Sequence, residues 1–231
     1  MPEMSAVPGR LIQMPLFRPS DLRPIAEVYA LSRPARTFTG DFYFTHRHRD
    51  RLWLALGDVA GKGLPAAVVM AMIQEELEQR ILSCAATQCD PAATMQRLHE
   101  FLRPLLPSNR FATSVIASLR EDGTLTVANA GHCPPLLVRR DGTVEEIAST
   151  GPILGMLPTA RWSSTTLRLA RGETLLLYSD GVIESRHDLG VPGLRDVVTR
   201  HARLEPAALA SAIVRETGVT CDDLTLVVVR R

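Results

Sequence analysis

Hydrophobic residues follow two different periods along the chain. Short stretches in which apolar residues alternate with polar ones, or run uninterrupted between turn residues, are typical of β-strands. Strands are expected at Ile25–Leu31, Asp41–Phe44, Leu52–Leu56, Ala112–Leu119, Thr124–Ala128, Leu136–Arg139, Thr143–Ile147, Thr165–Leu169, Thr174–Tyr178 and Leu224–Val229.

Apolar residues at helical spacing predict the remaining elements. The longest such pattern covers Leu64–Leu82, with an apolar stripe on one side and charged residues elsewhere. Asp90 followed by Pro91 supplies an N-cap and a first-turn proline, so a second helix is expected from there to about Leu102. His99 on this helix is predicted to be an ordinary residue of the polar face. One or two more helices are expected between residues 194 and 216.

The order of these elements predicts an α+β fold. The pairs Asp122-Gly123 and Asp141-Gly142 indicate tight hairpin turns. Many antiparallel strands, with a helix pair after the first hairpin and a helix before the last strand, most simply form a sandwich of two mainly antiparallel sheets flanked by helices. Residues 1–24 lack a clear period and are expected to be a lead-in with one short helix near 9–16, followed by one domain at 25–231.

The composition excludes several classes of protein. The 231 residues are 45% hydrophobic and 22% charged, as in a soluble protein with a full core, and the formal net charge is +1. This balance argues against a nucleic-acid or membrane-binding surface, and no apolar run resembles a membrane span or signal peptide. The four cysteines form no CxxC pair and do not predict a disulfide framework. A cytoplasmic protein with reduced thiols is expected.

The stretch GDVAGKG at Gly57–Gly63 joins a predicted strand to a predicted helix. Such a glycine-rich turn commonly presents a residue to a ligand, and Asp58 is the first residue after the strand. A phosphate-binding P-loop is excluded, because only three residues separate Gly57 from Gly61 and no Ser or Thr follows Lys62. Taken alone, a structural turn with a solvated aspartate explains the stretch equally well.

Four aspartates share a position at the edge of an apolar strand: Asp41, Asp58, Asp180 and Asp222. Hard divalent cations prefer oxygen ligands, and magnesium is typically held by a few carboxylates and several waters. Each aspartate alone is also explained as a turn or cap residue, whereas the four together suggest a site for magnesium or manganese. No His/Cys set has zinc spacing, and His46 and His48 in a hairpin tip are expected to be solvated.

An ordered series of motifs resembles the SpoIIE/RsbU branch of the PPM (protein phosphatase 2C-like) phosphatases. The series is TGDFYF at Thr39–Phe44, GDVAGKGLPAA at Gly57–Ala67, FATSVIASL at Phe111–Leu119, ANAGHCPP at Ala128–Pro135, YSDGVIE at Tyr178–Glu184 and DDLTLVVV at Asp222–Val229. The resemblance implies a four-layer α-β-β-α sandwich. It also implies hydrolysis of phosphoserine or phosphothreonine, dependent on two divalent cations, Mn²⁺ or Mg²⁺.

The resemblance assigns metal ligands residue by residue. Asp41 matches the aspartate of the first GD motif, and Asp58 matches the aspartate that bridges both metals. The carbonyl of Val59 matches the main-chain ligand beside it. Asp180 matches the aspartate of the SDG motif, and Asp222 the first acid of the terminal DD pair. These aspartates are the predicted catalytic residues, and in the implied mechanism a metal-activated water attacks the phosphorus.

Other positions receive supporting roles from the same resemblance. Asp223 is expected to orient a ligand or cap the turn, and Gly61 to act as a backbone hinge. Asn129 and His132 fall in the NAGH motif and are expected to form a structural loop. Eukaryotic relatives hold the phosphate with an arginine, for which Arg36 is a candidate, although a surface role explains this residue as well.

The first motif departs from the usual GGDFYD of the family. Thr39 replaces its first glycine, and Phe44 replaces its final aspartate and so removes an acid that could lie near the site. Neither change removes a predicted ligand, but Phe44 leaves open an alternative function, a module that binds a phosphoprotein without hydrolysing it.

The resemblance also implies partners. The substrate is expected to be a phosphorylated STAS-type protein of a bacterial partner-switching pathway that regulates a sigma factor. The region Leu64–Leu102 is expected to transmit signals to the metal site, which leaves room for a sensor or activator protein and for a homodimer. No nucleic acid and no membrane is expected as a partner. The chain is either a free-standing phosphatase or the catalytic piece of a longer protein.

Overall fold

The computed structural model describes residues 25–35, 37–61, 63–84, 89–107, 109–184, 189–218 and 222–231. The predicted lead-in and the candidate Arg36 therefore lie outside the described residues. The strands are β1 (Glu27–Arg33), β2 (Asp41–His48), β3 (Arg51–Val59), β4 (Ala112–Arg120), β5 (Thr124–Ala130), β6 (Leu136–Val138), β7 (Val144–Glu146), β8 (Thr165–Arg168), β9 (Thr174–Tyr178) and β10 (Leu224–Arg230). The helices are α1 (Leu64–Ser83), α2 (Pro91–Leu102), α3 (Gly190–Arg200) and α4 (Pro206–Thr217), and a 3₁₀ turn covers Asp180–Val182.

The strands form two sheets in which every neighbouring pair is antiparallel. Sheet I has the order β1-β10-β9-β6-β7, and sheet II has the order β2-β3-β4-β5-β8. The α+β prediction is confirmed, including the hairpins at the two Asp-Gly turns. Some neighbouring strands in each sheet are not consecutive in the sequence, so residues far apart in the chain come together at the strand ends.

Three apolar clusters show that the sheets and helices form four layers. Alternate residues of β3 enter different clusters: Leu54 and Leu56 pack between the two sheets, whereas Trp53 and Ala55 pack beneath α1 and α2. A third cluster joins the outer face of sheet I to α3 and α4. Because successive side chains of a strand point to opposite faces, a strand buried on both faces needs an uninterrupted apolar run. This explains the continuous apolar sequence of the central strands.

The β2–β3 hairpin is longer than predicted, and its turn contains only Arg49 and Asp50 between the strands. Arg49 adopts a φ of 57°, in the left-handed region that tight hairpin turns require. His46 and His48 lie near the turn, at the opposite end of the hairpin from Asp41. Both are half-buried, whereas the prediction was that they are solvated. Their place in the ladder separates them from the acidic end of the hairpin.

The prediction for His99 was wrong. This side chain is buried, its Nδ1 accepts a hydrogen bond from the backbone N–H of Gly155 at 3.1 Å, and its ring packs against Trp162. The loop before β8 covers this side of α2, which the helical period of α2 alone does not reveal. Asp90 caps the same helix as predicted, because its carboxylate accepts from the backbone N–H groups of Ala92 and Ala93.

The expectation that the thiols are all reduced was also wrong. Cys84 and Cys89 form a disulfide, with their Cα atoms 5.8 Å apart. Cys84 is the residue at the C-terminal end of α1, and Cys89 directly precedes the N-cap of α2. The two helices pack against the same apolar cluster, and the end of α1 lies beside the start of α2, where the two sulfurs meet. None of the described helices is both long enough and apolar enough to cross a lipid bilayer.

Candidate functional site

The candidate site begins with a pair of aspartates at one end of the two-sheet sandwich. Asp41 and Asp58 are directly paired across β2 and β3. Asp41 is 2% exposed, and its Oδ2 accepts a hydrogen bond of 2.6 Å from the Thr225 hydroxyl of β10. Since β10 belongs to the other sheet, this bond places the Asp41 carboxylate between the sheets. The Asp41 backbone N–H donates a hydrogen bond of 2.9 Å to the Thr39 hydroxyl. A glycine, which the family pattern has at position 39, would have no side chain to accept this bond.

Gly40 allows two oxygen atoms to approach the backbone beside this pair. A Cβ at Gly40 would lie 2.6 Å from Asp58 Oδ1 and 2.7 Å from the Val59 carbonyl oxygen. Any side chain at this position would therefore displace the two predicted oxygen ligands of the GDVAGKG turn. The Val59 N–H donates to the Gly40 carbonyl at 3.2 Å, which fixes the turn against the start of β2.

Asp180 and Asp222 reach the same end of the sandwich from sheet I. Asp180 follows β9 and opens the 3₁₀ turn, and Asp222 precedes β10, the strand paired with β9. A Cβ at Gly181 would overlap the Asp223 carbonyl oxygen, so the two turns are in close contact. The Ser179 hydroxyl joins them further, because it donates to the Asp223 carbonyl at 3.1 Å and accepts from the Thr225 N–H at 2.9 Å.

Asp223 makes contacts on both sides of the start of β10. Its Oδ1 accepts a hydrogen bond of 2.7 Å from the Ala35 N–H, which ties the segment before β2 to the start of β10. Its own N–H donates to Asp222 Oδ1 at 2.9 Å. The backbone of Asp223 therefore holds the Asp222 carboxylate, and its side chain holds the segment at Ala35.

The acids influence one another's protonation. Burial raises the pKa of Asp58 to about 6, and the negative charges of Asp180, Asp222 and Asp223 add to that shift. Burial and the charges of Asp222 and Glu184 raise the pKa of Asp180. Burial also raises the pKa of Asp41 well above its usual value, partly offset by the bond from Thr225. The structure thus gathers the four predicted aspartates into one region of mutual repulsion.

This oxygen-rich set fits a hard divalent cation. Carboxylates that repel one another in a buried place are stabilised by a cation between them, and magnesium needs few protein ligands because it keeps several waters. Within the described ranges, no three acidic, histidine or cysteine side chains converge closely enough to enclose a single ion. The aspartates lie near enough to affect one another's charge, and the Val59 carbonyl lies with Asp58 beside Gly40.

Comparison with known proteins identifies the domain. The family model of stage II sporulation protein E (SpoIIE) matches residues 48–231. The chain belongs to the SpoIIE family. It is 27% identical to phosphoserine phosphatase RsbU of Bacillus subtilis (strain 168) over 215 residues, which cover 89% of this chain and 63% of RsbU. The chain thus spans less than two thirds of that relative.

Solved structures agree with the SpoIIE assignment. The RsbU and RsbW domains of a Mycobacterium tuberculosis protein match with a TM-score of 0.78 and 27% identity, over 90% of this chain and 60% of that chain. RsbX, crystallised in complex with magnesium, matches with a TM-score of 0.67 and 20% identity, over 87% of this chain and 92% of that chain. At that identity the likeness to RsbX concerns the fold alone. The predicted PPM-type fold and SpoIIE/RsbU relationship are thereby confirmed.

Phe44, the second departure of this SpoIIE domain from its family pattern, does not bear on the site. Its side chain is buried among the residues that pack beneath α1 and α2. Asp41 lies three residues earlier in β2 and points to the opposite face, between the sheets. The expectation that Phe44 removes an acid near the site was therefore wrong, since an acid at position 44 would face the helices.

Arg110 is a residue that the sequence interpretation missed. Gly61 has a φ of 122°, and a Cβ there would lie 3.0 Å from Arg110 Nη1. The hydrogen bond from the Ala60 N–H to the Phe111 carbonyl, 2.9 Å long, brings the two segments together. Among the described residues, nothing forms a hydrogen bond or ion pair with the Arg110 guanidinium. The signal in the sequence was a cation directly before the FATSVIASL motif.

Asn129 and His132 form the structural loop that the sequence predicts. The Asn129 amide accepts from the His132 N–H at 2.8 Å and donates to the His132 carbonyl at 3.2 Å. His132 Nδ1 lies 2.8 Å from the Thr113 hydroxyl, and Thr113 is paired with Asp58 across β4 and β3. Burial lowers the pKa of His132 to about 4, against a smaller opposite effect from the Tyr178 backbone. The ring is therefore neutral near pH 7.

Proposed function

We propose that this SpoIIE domain is a metal-dependent protein phosphatase that hydrolyses phosphoserine or phosphothreonine. The observation that carries the proposal is the cluster of four aspartates from both sheets, in which the pKa of Asp58 is raised to about 6. A phosphatase needs cations where a dianionic ester must be bound, and this cluster is where the chain can hold them. The name of the relative RsbU, a phosphoserine phosphatase, supports the same reaction class.

Two divalent cations, Mn²⁺ or Mg²⁺, are proposed to occupy this cluster. Asp58 would contribute to both, with the Val59 carbonyl beside it, while Asp41, Asp180 and Asp222 would supply the remaining protein oxygens. When bound, such cations lower the pKa of a water and offset the charge on the phosphoryl oxygens. The magnesium complex of RsbX supports this choice of ions.

The residues of the chain would prepare the site for this chemistry. Thr225 and Thr39 fix the Asp41 carboxylate and backbone, and Asp223 fixes Asp222 and the segment before β2. Gly40 leaves room for the oxygens of Asp58 and Val59. His132 is buried and neutral near pH 7, so it would not donate a proton to the leaving serine or threonine.

Arg110 is proposed to contact the phosphate or the acidic flank of the substrate. Its guanidinium lies against Gly61, three residues after Asp58, and no described residue engages it. A guanidinium can donate two parallel hydrogen bonds to a phosphoryl group, which a lysine cannot. Arg36, the cation suggested by the sequence, remains a second candidate because it precedes the first motif.

The substrate is proposed to be a phosphorylated STAS-type protein in a partner-switching pathway that controls a sigma factor, in the cytoplasm. A sensor or activator protein and a homodimer are proposed as further partners, and residues 25–231 as the catalytic domain after a lead-in at 1–24. The similarity to RsbU supports this pathway. The alternative of a binding module without turnover loses its main reason, since Phe44 faces the helices.

Phosphate release from a phosphoserine and a phosphothreonine peptide tests the proposal. We expect release with Mn²⁺ or Mg²⁺ and none after chelation of the metal. A protein that binds the phosphopeptide tightly but releases no phosphate at any metal concentration would instead be a binding module. The STAS-type substrate is tested separately, by comparing the rate of phosphate release from a phosphorylated STAS domain with the rate from a peptide that contains only its phosphorylation site.

A further inference from the structure

The disulfide between Cys84 and Cys89 joins two helix ends. Cys84 ends α1, where its N–H donates to the Ile81 carbonyl at 3.3 Å, and Cys89 directly precedes Asp90, the N-cap of α2. The bond therefore fixes the last turn of one helix to the first turn of the next. Among the described residues, this is the only disulfide that joins the two helices.

The two cysteines differ in their exposure to solvent. Cys89 is 7% exposed and lies in the apolar cluster beneath the helices, and its carbonyl accepts a hydrogen bond of 2.6 Å from Arg51. Cys84 is half-buried at the helix end and packs against that cluster. Cys84 is therefore the more exposed of the two residues and the one that a small thiol from solvent would meet first.

Helix α1 connects this disulfide to the acidic cluster. The helix begins at Leu64, shortly after β3, the strand that ends with Asp58 and Val59. Midway along it, the Gln74 amide donates to the Tyr43 carbonyl at 3.1 Å, which attaches α1 to the strand that carries Asp41. One continuous helix therefore links the disulfide to the strands that carry two of the aspartates.

We propose that Cys84 and Cys89 form a reversible thiol–disulfide site through which the thiol redox state regulates this domain. In a reducing compartment, disulfides are usually transient and serve as redox sensors, and an accessible one is open to exchange. The oxidised pair holds α1 and α2 together and keeps the end of β3, with Asp58, in place, whereas the reduced pair loosens the end of α1. The effect on activity rests on the proposed function; the redox site itself does not.

The exchange uses a small monothiol of the glutathione class as reductant. Its thiolate attacks Cys84 Sγ, so that a mixed disulfide forms there and Cys89 leaves as a thiolate, which takes up a proton. A second thiolate attacks the small-molecule sulfur of the mixed disulfide and releases Cys84. Two thiols are thereby oxidised to one small disulfide, and the protein disulfide gains two electrons. The oxidised form returns by the reverse exchange with that small disulfide.

The test compares the oxidised and reduced full chain with the double variant Cys84→Ser/Cys89→Ser, which retains the other cysteines as an internal control. Equilibration in reduced and oxidised glutathione, followed by alkylation and mass spectrometry, reports the state of each cysteine. We expect reduction to lower the Tm by roughly 4–8 °C and to accelerate amide exchange in the last turns of α1. The double variant should show neither response.

Phosphate release is measured on the same samples. We expect the oxidised chain to be faster by about fivefold or more, with no redox response in the double variant. The proposal is overturned if glutathione buffers leave the Cys84–Cys89 pair in one state, or if reduction changes neither the Tm nor the exchange of α1. A shift in Tm with unchanged phosphate release overturns its regulatory part. If no sample releases phosphate, the proposed function fails, and the Tm and amide exchange still decide the redox site.

Discussion

Asp41 and Asp58 are directly paired across two antiparallel strands, with both carboxylates on the face between the sheets. Like charges opposite one another on a sheet destabilise it, and here burial raises both pKa values further. A pair that weakens the metal-free fold is the expected cost of a site that binds cations.

Substitution of the clustered aspartates should separate ligands from supporting residues. We expect Asp58→Asn to lower kcat/KM for a phosphopeptide by about a thousandfold or more, because the carboxylate proposed to serve both cations is lost. Asp223→Asn keeps an oxygen for the Ala35 N–H and should cost only about tenfold. The exposed Asp196 on α3 is the matched control, and Asp196→Asn should act like the wild type. Equal losses in the Asp58 and Asp223 variants would contradict the assignment.

The metal-free protein should become less stable as the pH rises through the titration of Asp58. Its pKa is about 6 in the folded state against a usual 3.8, so the folded protein binds more protons in this interval and its free energy of unfolding falls as the pH rises. Asp58→Asn removes this effect and should stabilise the chelated protein by about 2 kcal/mol at pH 7, and hardly at all at pH 4. Urea unfolding in a chelator at both pH values measures the difference. A gain that is independent of pH would refute this explanation.

His132 should produce the opposite dependence on pH. Its pKa is about 4 in the folded state against a usual 6.5, so the unfolded chain binds more protons and the free energy of unfolding rises with pH over this interval. The stability is fully present above pH 6.5 and is lost toward pH 4. In His132→Asn the rise between these values should shrink by about 3 kcal/mol, as measured by urea unfolding. His201→Asn, at the end of α3, serves as the control, and an unchanged slope in the His132 variant would contradict the prediction.

Arg110 should affect substrate binding more than turnover. Without its guanidinium, charge-assisted hydrogen bonds to the phosphoryl group or an acidic flank are lost, so Arg110→Ala should raise the KM of a phosphopeptide about tenfold or more. Steady-state kinetics of Arg110→Ala and Arg110→Lys, beside the exposed control Arg203→Ala, measure this effect. If the control and Arg110→Ala raise KM equally, the contact is not specific.

Gly181 should tolerate no side chain. A Cβ there would overlap the Asp223 carbonyl oxygen, which is backbone and cannot move aside without displacing Asp222. We expect Gly181→Ala to cost about 3 kcal/mol or more of stability and to weaken metal binding. In Gly193→Ala the new methyl group would meet only the flexible Leu189 side chain, so its effect should stay within about 1 kcal/mol. Denaturant unfolding and a metal titration of both variants provide the comparison.

Local patterns predicted the elements well because each depends on neighbours in sequence. The apolar period gave α1 within one residue of its observed end, and Asp90 with Pro91 marked the start of α2. The strand Thr174–Tyr178 was predicted at its observed bounds. The strands of the β2–β3 hairpin were predicted too short, because polar residues such as His46 and His48 continue the ladder without an apolar signal.

Side-chain surroundings were less predictable where a distant segment covers an element. His99 is polar by type and yet buried, because the loop near Gly155 packs over its helix. Cys84 and Cys89 are too far apart for a CxxC motif, but two helix ends bring them together. Arg110 lies beside Gly61 only because β3 and β4 are neighbours in sheet II.

The amino-acid sequence by itself determined the elements, the motifs and the aspartates at the strand ends, since periodicity and turn chemistry act over a few residues. Only the tertiary structure decided that Asp41 and Asp58 of sheet II lie near Asp180 and Asp222, which flank β9 and β10 of sheet I, and that Phe44 faces the helices. Alternation along a strand assigns its residues to two faces, but the stacking of the two sheets decides which face lies between them.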